Sequence, residues 1–211
     1  MPAARVPDDR GMQSSRLEAF SDGVLAIIIT IMVLELKLPT DGHSFAQLWH
    51  ATGAGLLTYL LTFVYVGIYW SNHHHLFQVV RRVDGRVLWA NLHLLFWLSL
   101  FPLTQRWLDE SSIARDPTVV YGVNLLAAAV AYFLLQQAIF RTPTGSELRE
   151  ALGRDLKGKL SPVLYLAGIA LAFVAPWAGL VPAVVVALVW LVPDRRVERY
   201  VQRLPGEEPP K

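Results

Sequence analysis

Asp22 stands at the mouth of an apolar run, in Phe20-Ser21-Asp22-Gly23, and from Val24 to Leu34 the only polar side chain behind it is Thr30. Three consecutive histidines, His73, His74 and His75, follow Trp70, Ser71 and Asn72, and Asn91 and His93 stand in a third apolar stretch. Residues of these types can activate a nucleophile, hold a metal ion, or hydrogen-bond to one another between packed helices. An aspartate with a histidine is half of a nucleophile-activating pair, but the chain has no HExxH and no GxSxG motif. Adjacent helical residues point about 100° apart, so the three imidazoles diverge, and no cysteine or carboxylate cluster accompanies them. The expectation is no catalytic residue, no metal and no enzyme. The polar groups are expected to serve as interhelical partners.

The elements that must position these groups follow from composition. The chain has 211 residues, 54% hydrophobic and 17% charged, with a mean hydropathy of +0.38. Its apolar residues come in blocks of roughly 15–25, the length that crosses a hydrocarbon core about 30 Å thick. This is the pattern of an all-α integral membrane protein. The first block is too long for a signal-peptide core, has no small-residue cleavage site after it, and is closed by Glu35, Leu36 and Lys37, so it is expected to be retained. With no cysteine in the chain, disulfides and thiolate chemistry are excluded.

Six spans are expected in one transmembrane domain covering 1–211, at about 17–36, 45–70, 87–108, 117–140, 160–177 and 179–193. Gly, Pro and charged residues mark the breaks, with APWAGLVP as a tight turn between the last two. Sixteen lysines and arginines fall in the two termini and the even-numbered connections, against three (Lys37, Arg106 and Arg115) on the opposite side. The positive-inside rule puts both termini in the cytoplasm. Trp49, Trp70, Trp89, Trp107, Trp177 and Trp190 lie near span ends, as interfacial anchors do, whereas Trp97 lies mid-span and is expected inside the bundle.

This topology brings Ser21 and Asp22, the Ser71–His75 segment, and Asn91 with His93 to one level near the cytoplasmic face. Charged groups at such depth face the bundle and find partners there. On a helical wheel with Ile27 at zero, Ile31 falls at about +40°, Leu34 at about −20° and Phe20 at about +20°. Thr30 falls at about −60°, Ser21 at about +120° and Asp22 at about −140°. The carboxylate thus points away from the Ile27–Ile31–Leu34 stripe, which by periodicity alone reads as a helix-packing seam. Glu35 is open to two readings, an interfacial carboxylate or a group that draws cations to an outer mouth.

The pattern Arg16-x-x-x-Phe20-Ser21-Asp22-Gly23-Val24-x-Ala26-Ile27-x-Ile29-Thr30-x-x-Val33-Leu34-Glu35 resembles the first helix of the transmembrane protein 175 potassium channels, in their bacterial branch. WSNHH (Trp70 to His74) and NLHLLFWLSLFP (Asn91 to Pro102) extend the resemblance over about the first half of the chain. It implies a homotetramer with six helices per subunit and a central pore lined by the first helix. The hydrophobic constriction would fall on Ile27, Ile31 and Leu34, with Thr30 as a pore-side ligand. The family's interhelical network would fall on Arg16, Phe20, Ser21, Asp22, Trp70, His73, His74 and Asn91, with either His73 or His74 pairing to Asp22. The implied activity is passive, modestly K⁺-selective conduction, with no cofactor beyond the permeant K⁺. The implied partners are K⁺ and the lipid bilayer, not nucleic acid, in a bacterial inner membrane. A secondary transporter or permease is the alternative, and it would need a midplane polar site and related halves.

The charge split makes the topology testable in a chain without cysteine. Arg5→Cys, Asp41→Cys, Ser112→Cys, Glu150→Cys and Pro205→Cys, made singly, would be exposed to an impermeant thiol reagent on intact cells. Labelling is expected at 41 and 112 alone, and labelling at 205 would remove the sixth span.

Overall fold

A computed structural model describes residues 12–40, 43–78, 80, 82–142, 145 and 156–191. The described chain is almost entirely helical: α1 (Ser14–Leu34), α2 (Phe45–Gln78), α3 (Gly85–Ser99), α4 (Phe101–Glu110), α5 (Arg115–Phe140), α6 (Leu156–Ala172) and α7 (Val181–Leu191). Among the described residues, three spans are long and apolar enough to cross a membrane: α1, α3 with α4 as one stretch, and α5. A fourth is counted if the two parts of α2, bent by 56° between Phe45–Gly53 and Gly55–Gln78, make one span. Glycines on both sides of that bend remove the side chains that would resist it. The protein is therefore a multi-pass membrane protein. Much of the basic sequence on which the expected orientation rests, residues 1–11, 146–155 and 192–211, lies outside the described residues, and so does the expected end of the sixth span at 193.

Local chemistry explains the boundaries. The Asp84 carboxylate caps α3, accepting from the backbone N–H of Arg86 and of Val87 at 3.0 and 2.9 Å, as a side-chain oxygen does for the unpaired donors of a first turn. Pro102 falls in the first turn of α4. It has no N–H to donate and clashes with the preceding turn, and the helix breaks at Leu100. APWAGLVP forms a 3-10 turn at Pro176–Leu180. There Gly168 of α6 lies so close to the Gly179 carbonyl that a Cβ at 168 would sit 2.7 Å from that oxygen.

Two boundaries differ from the expected ones in ways that matter. The second helix does not stop at Trp70 but runs to Gln78, so the histidines stand on α2 itself and share its helical register. And Met12–Gln13 (β1) pairs antiparallel with Arg82–Val83 (β2), clamping the entry of α1 to the α2–α3 connection. A two-residue strand carries no periodicity that sequence could show.

The core runs along α5, which packs against α3 and α4 on one side and α6 and the 3-10 turn on the other. Its inner face carries Tyr121, Leu125, Ala128, Ala131, Leu135 and Ile139, all buried; the alanines let neighbouring helices approach closely. α1 lies at the edge of this bundle, against α2, α3 and α4. Trp97 is half-buried against the core and donates to His93 Nε2 at 3.0 Å.

Candidate functional site

α1 has two distinct faces. Leu17, Ser21, Leu25, Ile28 and Met32, spaced four, four, three and four residues apart, are buried against the bundle. On the other side Phe20, Ile27, Ile31 and Leu34 are 53, 58, 41 and 81% exposed. The exposed face is the stripe isolated on the wheel, and the buried face centres near Ser21. Thr30 is exposed beside the stripe, its hydroxyl donating to the Ile27 carbonyl at 2.8 Å. That bond uses the proton and leaves the oxygen lone pairs outward.

A chain of hydrogen bonds ties the buried face to α2 and α3. Ser21 Oγ donates to the Leu17 carbonyl at 2.8 Å and accepts from Asn91 Nδ2 at 2.9 Å. Asn91 Oδ1 is 2.7 Å from His73 Nε2. Because the Asn91 amide nitrogen is already spent on Ser21, its oxygen must accept, so His73 carries its proton on Nε2. All three side chains are 0–1% exposed. His73 also stacks on Phe77 with ring centroids 4.4 Å apart. The tautomer is thus set by a neighbour one helix away.

A second set lies on the rim of the same contact. Trp70 Nε1 donates to Asp22 Oδ1 at 3.1 Å. His74 Nδ1 pairs with Glu18 Oε1 at 2.6 Å, and Gln78 Nε2 donates to His74 Nε2 at 2.7 Å. Trp70 stacks over His74, with centroids 6.2 Å apart and planes 19° apart.

The expected members are therefore sorted into different roles. Ser21, Asn91 and His73 form the buried chain, while Asp22, Trp70 and His74 form the rim. No histidine pairs directly with Asp22; its partner is the Trp70 indole, because one turn along α2 carries His73 towards α3 and His74 towards Glu18. Phe20 is outside the network, on the exposed face with the stripe. Arg16 is exposed and has no hydrogen bond or ion pair with the described residues. Among the described residues no three His, Cys, Asp or Glu side chains are grouped to hold a metal ion.

Glu18 and Gln78 were not anticipated. The signal was present: Glu18 is four residues before Asp22 and Gln78 four after His74, and residues at that spacing share a helix face. At the other end of α1, Glu35 Oε2 is bonded to Arg106 Nη1 at 2.9 Å, and Arg106 Nε reaches Glu110 at 3.1 Å. Its charge is thus answered by α4, which favours the interfacial reading over cation attraction.

Comparisons with known proteins converge on these same elements. The family model described as "Endosomal/lysosomal potassium channel TMEM175" matches residues 16–102, from the start of α1 through α3. A protein of Chryseobacterium sp. (strain P1-3), named a potassium channel, is 50% identical over 189 residues, which cover 89% of this chain and 97% of that protein. A potassium channel of Streptomyces collinus (strain DSM 40733 / Tue 365) is 37% identical, over 62% of this chain and 66% of its own. Among solved structures, a lysosomal potassium-selective channel TMEM175 homolog from Chamaesiphon minutus superposes with a TM-score of 0.70 at 30% identity, covering 87% of this chain and 97% of that one.

The buried chain predicts a graded cost. Asn91→Leu strands the His73 N–H in an apolar surrounding, a loss of about 1–3 kcal/mol for an unsatisfied buried donor. Thermal unfolding in detergent should fall accordingly, and His73→Phe combined with Asn91→Leu should recover part of the loss by removing both partners. Arg16→Ala should leave unfolding unchanged within about 0.5 kcal/mol, as surface substitutions do. An Asn91→Leu protein as stable as the parent would contradict the assignment.

Proposed function

The chain belongs to the bacterial branch of the TMEM175 channel family, and on that premise we propose that it conducts K⁺ passively through a central pore lined by α1. Four copies around one axis bring the exposed faces of four α1 helices together, each subunit crossing the membrane six times with both termini in the cytoplasm of a bacterial cell. The observation that carries this reading is the division of α1 into a tethered face and a free one. Ile27, Ile31 and Leu34 lie on the exposed side, while Ser21 and Asp22 are held by α2 and α3.

A ring of isoleucines provides no carbonyls or charges to replace an ion's hydration shell, unlike filters built from such groups. Its action is a toll on dehydration. K⁺, with the larger radius, sheds water more readily than Na⁺, so a narrow apolar ring passes it preferentially and selectivity stays modest. The same ring closes by dewetting when it narrows. Thr30, one helical step from the stripe, presents its oxygen lone pairs on the exposed side and is the pore's one side-chain ligand for a partly stripped ion. The channel needs no coupling ion and no cofactor.

Ile27 and Asp22 lie about 140° apart on α1, so a central pore cannot present both. In liposomes and planar bilayers, Ile27→Ala should widen the constriction and move the K⁺/Na⁺ permeability ratio towards one while the oligomer keeps its mass. Asp22→Ala removes one rim hydrogen bond, about 0.5–1.5 kcal/mol, and should lower tetramer yield with selectivity retained. Loss of selectivity in Asp22→Ala, with parental currents in Ile27→Ala, would reverse the faces.

A further inference from the structure

On the side of α2 turned away from α1, a pocket enclosing about 50 Å³ opens between α2, α5, α6 and α7. A single water needs roughly 10–15 Å³ of such space, so the pocket holds a few waters or the head of a small ligand. Its polar lining is unusual for a helix seam. The Tyr69 hydroxyl and the Gln136 carboxamide, on residues only 7 and 8% exposed, line it without a hydrogen-bond partner among the described residues.

The other polar groups there are already engaged. Tyr65 donates to the Ala183 carbonyl at 2.6 Å, and Ser161 donates to the Lys157 carbonyl and accepts from Trp190 Nε1. The Asn72 amide nitrogen is spent on Ile68 O at 2.8 Å. Two polar groups on nine-tenths-buried residues, one a phenol and one able both to donate and to accept, thus open into the pocket with no protein partner among the described residues and are a place for something to bind.

The lining also says what kind of ligand. Among the described residues, no acidic, lysine, arginine or histidine side chain lines the pocket. The nearby Lys157 ammonium is directed to the Val189 carbonyl at 3.1 Å and lies 6.0 Å from the centre of the Trp190 ring. An ionic head would lose its hydration with no opposite charge to meet it. The remaining walls are the apolar Ile68, Ala129, Phe133 and Trp190 with the rings of Tyr132 and Tyr165, the Tyr132 hydroxyl donating to the Asn72 carbonyl at 3.4 Å. Phe133, 48% exposed, puts the opening on the outer apolar surface of α5.

We propose that this pocket binds the uncharged hydroxyl-bearing head of an amphiphile, with Tyr69 and Gln136 as its hydrogen-bonding partners and its apolar body against Phe133 and Trp190. The chemistry is that of a diacylglycerol from the bilayer or of a small aromatic alcohol from solution. The site stands apart from the Ser21–Asn91–His73 chain and does not depend on conduction for its test.

Trp190 reports occupancy directly. The full-length protein would be placed in phosphatidylcholine vesicles carrying brominated diacylglycerol or, at equal bromine content, brominated phosphatidylcholine; a third sample receives para-bromobenzyl alcohol. The diacylglycerol should quench tryptophan fluorescence in excess of the phosphatidylcholine, and Trp190→Phe should abolish that excess. Tyr69→Phe and Gln136→Leu, singly, should each weaken the saturable quenching about 2–10-fold, the effect of one lost hydrogen bond. Ala129→Leu, which fills the pocket, should remove it, with the helical circular dichroism of every variant unchanged. Saturable quenching by the alcohol alone, with the same dependence on Tyr69, Gln136 and Ala129, supports the site with a soluble source. Equal quenching by both lipids with no saturable effect of the alcohol, or saturable quenching indifferent to these substitutions, overturns the proposal.

Discussion

A polar side chain placed inside a membrane must be satisfied by the protein, because the hydrocarbon satisfies nothing. Everything about α1 follows from how that requirement is met at Ser21. One hydroxyl, one carboxamide and one imidazole in sequence join α1, α3 and α2, and each link decides the next. Asn91 fixes the proton of His73, and Ser21 fixes which way Asn91 faces. A helix held in this manner cannot rotate about its axis without breaking the chain. Its opposite face is therefore defined as firmly as the buried one. The apolar stripe of Ile27, Ile31 and Leu34 is what remains on that face, and it contains no group that the bundle needs.

The rim set has a different physical character. Asp22 with Trp70, and Glu18 with His74 and Gln78, are partly open to solvent. Each contact there is worth less than its buried counterpart, since water can replace either partner. Together with the β1–β2 pair they hold the entry of α1 at a fixed angle to α2. Strength in the middle and adjustable contacts at the edge suit the pore-lining role proposed for α1, in which the helix keeps its facing while the pore's diameter varies.

How much was legible beforehand depended on the kind of signal. The exposed stripe and the face holding Ser21 came from a period of 3.6 residues that a wheel recovers, and α1 obeys it from Leu17 to Met32. The grouping of Ser21, Asp22, the histidines and Asn91 at one depth came from topology. Depth, however, does not specify partners. Whether Asp22 meets a histidine or an indole depends on angles between helices, and the unbroken run of α2 to Gln78 decided it in favour of Trp70. The inclusion of Phe20 and Arg16 in the network rested on resemblance, and nothing in their spacing to Ser21 required a contact. The pocket at Tyr69 and Gln136 joins residues 67 positions apart, with no local pattern linking them.

The central claim is that the Ile27–Ile31–Leu34 face, and no other face of α1, meets the permeating ion. The chain has no cysteine, so single cysteines placed on α1 can be read by Ag⁺, a thiol-reactive cation that follows the K⁺ path. Currents through Ile31→Cys channels should be blocked irreversibly by Ag⁺, whereas currents through Ile28→Cys channels, altered on the buried face, should persist. Block of the Ile28→Cys channel with an insensitive Ile31→Cys channel would contradict the account.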